Sequence, residues 1–168
     1  MEQYNLFVYG SLRPNFFNFE KYLEGKTLDI KPAVLKNMDL YHIPYKGYPA
    51  ITKGTGVVVG EIITVKDYDS TVKAIDIMEG FLGENNPNNE YHKILLEVNH
   101  LNSNKKEKCY TYFYNADIDK DFNEKAVFIS DGDWKNYMLN INKDSAYLAE
   151  SLFIFNNLLL TFSLHILF

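Results

Sequence analysis

The sequence is poor in the residues that build metal and redox centres. It has one cysteine, Cys109, which excludes an internal disulfide framework and a cysteine-rich zinc site. Its four histidines, His42, His92, His100 and His165, show no paired ligand spacing, so no metal and no cofactor is expected. Positive charge is scarce as well: 17 basic residues stand against 22 acidic ones, a net charge of −5. With no basic run beyond Lys105-Lys106, nucleic acid and anionic membrane surfaces are disfavoured as partners. Arginine is almost missing; Arg13 is the only one. There is no lysine-containing phosphate loop and no nucleophile elbow, so serine hydrolase chemistry has no signature. The start, Met1-Glu2-Gln3-Tyr4, shows no secretory signal, and a cytoplasmic location is expected.

What is present is ordinary globular material, 168 residues at 46% hydrophobic and 23% charged. A chain of that size buries roughly 70% of its unfolded surface, enough for a core and a pocket. Tyr4 to Tyr9 is an apolar, aromatic run that stops at Gly10-Ser11 and reads as a buried strand ending in a tight turn. A helical turn is expected around Glu20 to Leu23, and a strand over Ala33 to Ile43. Pro44, Gly47 and Pro49 then punctuate a loop. Val57 to Val65 is the clearest strand, almost continuously apolar and β-branched, with a bend or bulge expected at Gly60.

Between Asp67 and Phe81 the period changes. Val72, Ile75 and Met78 recur every third position, with Asp67, Asp69 or Ser70 as the cap and Gly80 where a helix ends. Leu82 to Glu90 is a turn-rich loop of Asn and Pro. Tyr91 to Leu101 and Lys108 to Tyr114 read as a hairpin. One helix among many short strands indicates α+β, a small mixed β-barrel with a few short helices. No repeat and no linker divides it. The expected organisation is a domain over 1–143 and an apolar, helical tail over 144–168. From Ser151 to Phe168 the tail has no charged side chain, and 12 of its 18 residues are Leu, Ile or Phe. At about 1.5 Å per residue it spans roughly 27 Å, marginal for a bilayer. Packing on the body or on a second copy, as in a homodimer, is favoured over membrane attachment.

Few residues are placed to do chemistry. Cys109, inside an alternating strand, fits a small core residue better than a nucleophile. At Tyr9-Gly10-Ser11-Leu12-Arg13 the glycine lets the backbone curl, so successive N–H groups can point into one concavity and bind an anion. Ser11 adds a hydroxyl, and Arg13 can fork onto a carboxylate as lysine cannot. An ordinary turn is the plainer reading. Glu79 ends the helix among Met78, Phe81 and Leu82. The negative end of the dipole and the apolar neighbours both push its pKa upward, toward the range of a general base. A solvent-facing helix glutamate is the alternative there, and Glu61, on the face shared by Val59 and Ile63, is a rival carboxylate.

These residues fall into an order that resembles a known family. Val8-Tyr9-Gly10-Ser11-Leu12-Arg13, Tyr48-Pro49-Ala50, Val59-Gly60-Glu61, Asp76-Ile77-Met78-Glu79-Gly80-Phe81, Tyr91 and Asp131-Gly132-Asp133-Trp134 follow one another across residues 4–140. In that order and spacing the chain resembles the γ-glutamylcyclotransferase-like superfamily, in its small AIG2-like branch. Ser11 stands where threonine is common in that branch, which keeps the hydroxyl. The tail lies outside the resemblance.

The resemblance implies a compact β-barrel with one pocket at its end. Tyr9, Gly10, Ser11 and Leu12 would form the substrate loop, with Arg13 beside them, and Glu79 would be the proton acceptor and donor. The implied reaction is an internal aminolysis, in which a γ-glutamyl group's own α-amine attacks its γ-carbonyl, closing 5-oxoproline and expelling an amine. Such a reaction needs no external nucleophile, metal or redox group. The small-molecule partner would be a γ-glutamyl amide or amine. The alternative is a non-catalytic sensor that keeps the same pocket for binding.

Overall fold

The computed structural model describes residues 3–145. The chain divides into a body ending at Lys135 and a second unit beginning at Asn136. Of the second unit only residues 136–145 are described, all of them helical. The 151–168 stretch, expected to be helical, lies outside the described residues. No helix among the described residues is long and apolar enough to cross a membrane.

The body is a closed, mixed barrel. Its strands are β1 (Asn5–Val8), β2 (Thr27–Ile43), β3 (Tyr48–Val65), β4 (Tyr91–His100) and β5 (Lys106–Tyr114). They run round the wall in the order β3-β1-β5-β4-β2, and β2 pairs back onto β3 to close the ring. The β1–β5 pairing is parallel and the others are antiparallel. A short β6 (Val127–Phe128) pairs with β2 at Tyr41 and His42. Helices α1 (Phe17–Tyr22), α2 (Tyr68–Met78) and α3 (Phe122–Lys125) lie between strands in the sequence.

Burial explains the patterns that were readable and those that were not. β1 is central, between β3 and β5, and its Leu6, Phe7 and Val8 are all buried, which is why it reads as a continuous apolar run. Leu6, Val8, Ile43, Ile63, Val72, Ile75, Tyr91, Tyr112 and Tyr114 share one core cluster. By contrast β2 begins six residues before the expected strand, in Thr27–Pro32, where even the alternating Leu28 and Ile30 are exposed. β3 likewise begins at Tyr48, inside the expected loop. Pro49 is tolerated near its start, and the loop shrinks to a turn in which Gly47, at φ +79°, donates to the Ile43 carbonyl at 2.8 Å.

Gly60 is not a bulge. Its register against Ala33 is regular; the irregularities fall between Thr27 and Asp29, where β2 carries the extra residue, and between Lys36 and Met38, where the extra residues are those of β3 between Lys53 and Val57. Gly60 is needed because a Cβ there would lie 2.2 Å from the Val8 carbonyl oxygen, so only glycine lets β1 cross β3 so closely. The helix cap also differs from expectation. Asp67 is the N-cap residue of α2 but sits in the left-handed region at φ 48° and makes no side-chain cap.

One ion cluster ties the end of β1 to the rest of the body. The Arg13 guanidinium donates to both Glu61 oxygens, at 2.7 and 3.0 Å, and to Asp133 Oδ1 at 2.5 Å. Asp133 is delivered by the Asp131–Trp134 segment, where the carbonyl of Gly132, at φ +68°, accepts from Val59 N–H at 2.8 Å. Next to it the buried Trp134 indole donates to His42 Nδ1 at 3.2 Å. Side-chain exposure is 6% for Arg13, 14% for Glu61 and 27% for Asp133, so removing the cation leaves two poorly solvated carboxylates. Arg13→Met is therefore expected to destabilise the body by about 3 kcal/mol, the low end for breaking a buried pair because Asp133 keeps some solvent contact. Urea unfolding checks this; a loss below about 1 kcal/mol is the surface-pair result and contradicts it.

Candidate active site

The cavity opens where the turn after β1 faces the end of α2. Its volume is about 560 Å³ counting the open mouth, and its lining includes Tyr9, Gly10, Ser11, Leu12, Asn18, Tyr48, Met78, Glu79, Glu90, Tyr91 and Tyr112. The turn is shaped locally: Arg13 N–H donates to the Gly10 carbonyl at 3.0 Å, and Phe19 N–H donates to the Ser11 carbonyl at 3.1 Å. Gly10 has no room for a side chain, since a Cβ would lie 2.3 Å from Pro49 Cγ. Asn18 Nδ2 donates to Ser11 Oγ at 2.8 Å, which leaves the hydroxyl proton of Ser11 free to point elsewhere. Among the described residues the backbone N–H groups of Gly10, Ser11 and Leu12 donate no hydrogen bond. Three successive unengaged donors beside a cavity suit an anionic or carbonyl oxygen.

Opposite this turn, α2 ends in a Schellman cap. Phe81 N–H donates to the Asp76 carbonyl at 2.9 Å and Gly80 N–H to the Ile77 carbonyl at 3.3 Å, with Gly80 at φ +62°. Glu79 is the C-cap residue, so the cap geometry fixes its backbone. Its side chain is half-buried: it opens onto the cavity and is enclosed by protein elsewhere. Burial above all, then the charges of Glu90 and Asp76, pushes the Glu79 carboxyl up to about 8, and no hydrogen bond or cation offsets this.

The surrounding phenols are donors, not bases. Burial first, then the Glu79 charge, raises the Tyr9 phenol far above its usual range, and its hydroxyl donates to the Tyr112 carbonyl at 2.7 Å. Tyr91, raised in the same sense by burial, donates to the Pro49 carbonyl at 2.6 Å. Tyr48 donates to Glu90, and Tyr112 donates to Asp76 at 2.6 Å. Lys93 also pairs with Asp76, at 2.7 Å. Each of these protons is thus committed away from Glu79, whose carboxyl is moved toward neutrality.

The structure brings Tyr9, Gly10, Ser11, Leu12 and Glu79 around one cavity. It does not bring Arg13 there. The expected fork for a substrate carboxylate is filled by the protein's own Glu61 and Asp133, and Arg13 is absent from the lining. Glu61, the rival to Glu79, is held in the same cluster. Glu90, Asn18, Tyr48 and Tyr112 line the cavity without having been assigned any part in it. Tyr112 lies in the Tyr110–Tyr114 alternation, but nothing in the Asn- and Pro-rich loop before Glu90 marks it. That loop is ordered by Asn89, whose Oδ1 accepts from Leu82 N–H at 2.7 Å while its Nδ2 donates to the Gly83 carbonyl at 2.8 Å.

A raised carboxyl facing a turn of unengaged amides defines, in physical terms, a class of site suited to acyl transfer. The comparisons make that class specific. Residues 6–136 match the family described as gamma-glutamyl cyclotransferase, AIG2-like. The chain is 32% identical over 136 residues to the gamma-L-glutamyl-butirosin B gamma-glutamyl cyclotransferase of Niallia circulans, covering 80% of this chain and 78% of that one. It is 29% identical over 146 residues to a putative gamma-glutamylcyclotransferase of Methanocaldococcus jannaschii, covering 79% and 96%. A solution structure from Arabidopsis thaliana shares the fold at TM-score 0.59 and 24% identity, over 94% of this chain and 86% of that one. The chain belongs to the AIG2-like gamma-glutamyl cyclotransferase family.

The raised carboxyl has a consequence for stability. Glu79 holds its proton in the folded state up to about pH 8, whereas its ordinary value is 4.5. Between those values the folded state binds more protons than the unfolded one, so this group's contribution to stability falls as pH rises. Glu79→Gln, which never ionises, should gain on the wild type in urea midpoint progressively from pH 5 to pH 8. A difference that stays flat over that window would show an ordinary carboxyl.

Proposed function

We propose that the protein is a cyclotransferase that converts a γ-glutamyl amide to 5-oxoproline and releases the amine, with Glu79 as the proton acceptor and donor. The observation that carries this reading is the unpartnered Glu79 carboxyl, raised to about 8, facing the free amides of Gly10, Ser11 and Leu12. A carboxyl raised to about 8 is mostly protonated near neutrality and anchors a cationic ligand weakly, which favours a proton-transfer part for it over the sensor alternative.

In the proposed mechanism the ionised Glu79 takes a proton from the substrate's α-ammonium. The freed amine attacks the γ-carbonyl, the new C–N bond closes the five-membered ring, and the carbonyl electrons move onto oxygen. The amides of the Tyr9–Leu12 turn stabilise that oxyanion, an effect worth about 3 kcal/mol for a well-placed donor. As the carbonyl re-forms, the original amide C–N bond breaks and Glu79 returns its proton to the departing nitrogen. The second proton lost by the α-amine exchanges with water. A carboxyl titrating near the working pH suits both halves of this exchange, and holding the substrate folded for closure supplies much of the remaining acceleration. The proposed setting is the cytoplasm, where the buried free thiol of Cys109 stays reduced.

Glu79→Gln should keep the fold and lower kcat by about 100- to 10,000-fold, read as 5-oxoproline by mass spectrometry over a panel of γ-glutamyl amides. In the wild type, activity should rise with pH toward about 8 as Glu79 ionises. Undiminished turnover by the variant would remove Glu79 from the mechanism.

A further inference from the structure

The charge around the cavity is one-sided. Glu79 and Glu90 line it, and among the described residues no Lys, Arg or His does. The one arginine of the sequence is committed to Glu61 and Asp133. An amino acid as leaving group brings its own carboxylate toward Glu90, whose neighbouring cation, Lys46 at the rim, is already paired to it.

Glu90 is held in a way that leaves half of its carboxylate available. Oε1 accepts from Lys46 Nζ at 2.6 Å and from the Tyr48 hydroxyl. Oε2 receives no hydrogen bond among the described residues. Its backbone is fixed beside the acid–base residue, because Glu90 N–H donates to the Gly80 carbonyl at 3.2 Å. Oε2 itself lies 3.6 Å from where a Cβ on Gly80 would sit. An oriented acceptor is therefore presented next to Glu79, in the cavity that both residues line. The rim already holds one ammonium by this chemistry: Lys46 Nζ lies 5.6 and 5.5 Å from the ring centroids of Tyr48 and Tyr114 while paired to Glu90.

We infer that Glu90 selects the leaving group, and that the substrates are γ-glutamyl amides of amines carrying a second, positively charged nitrogen, such as diamines, polyamines or amino sugars. The second ammonium binds Glu90 Oε2, which places the scissile amide nitrogen within reach of Glu79. This inference rests on the cyclotransferase reading above, and it adds a specificity-determining residue to it.

The test uses the full chain and three γ-glutamyl amides of matched length, those of diaminobutane, butylamine and aminobutyrate, whose far ends are an ammonium, a methyl and a carboxylate. The expected order of kcat/KM is ammonium, methyl, carboxylate, with the first favoured over the second by about 10-fold or more. Glu90→Gln should collapse that ratio toward one. The ratio is the readout because Glu90 also acts on Glu79, and any such change applies equally to all three substrates. A ratio untouched by Glu90→Gln, or a preference for the carboxylate end, overturns the inference and leaves the cyclotransferase reading standing. If no amide is turned over, thermal stabilisation by free diaminobutane against butylamine separates the two claims. Stabilisation by the diamine that Glu90→Gln removes supports the ammonium site while the reaction falls; equal behaviour of the two amines overturns both.

Discussion

The Arg13 guanidinium, held between Glu61 of β3 and Asp133 of the Asp131–Trp134 segment, governs both the shape and the charge of the site. It fixes the chain immediately after the Tyr9–Leu12 turn. The two carboxylates that satisfy that fork lie 48 and 120 residues further along the chain, so the turn is held by distant parts of the body. The same commitment withdraws the chain's one arginine from the cavity. What is left to line it is acidic, phenolic and apolar.

That depletion is what makes Glu79 chemically useful. A carboxyl beside a cation has its pKa lowered and holds its proton poorly; Glu79 has only burial and two like charges as its environment, and all three act in one direction. The Schellman cap contributes by fixing the Glu79 backbone where α2 ends, with Gly80 making the reversal. The four neighbouring tyrosines direct their protons to carbonyl and carboxylate acceptors elsewhere, so none of them hydrogen-bonds Glu79 and lowers its pKa. Strand geometry on one side and a helix terminus on the other thus converge on a cavity with a raised carboxyl and several free amide donors.

Much of this was legible in the sequence, for stated physical reasons. β1, the second half of β3 and the β4–β5 hairpin announced themselves because their residues are buried on one or both faces. The first six residues of β2 are harder to read: Leu28 and Ile30 alternate with Asp29 and Lys31, but both are exposed and Pro32 follows them. Tyr9 to Leu12 and Glu79 stand out by local chemistry only as candidates, beside an ordinary turn and a solvent-facing glutamate, and their expected roles come from the family resemblance. Arg13 was placed on a substrate for the right property, its bidentate fork, and the wrong partner: Glu61 and Asp133 are 48 and 120 residues away. Glu90 was invisible for the same reason. Its meaning comes from Gly80, Tyr48 and Lys46, and only the folded chain assembles them.

The central claim is that the Glu79 carboxyl keeps its proton to near pH 8, and direct titration tests it most simply. Isotope-edited NMR of the glutamate side-chain carboxyls, with Glu79 assigned by its disappearance in Glu79→Gln, reads the group without any substrate. The account predicts a midpoint of about 8. A midpoint at the ordinary 4.5 would contradict it and remove the physical basis for Glu79 as the acid–base residue.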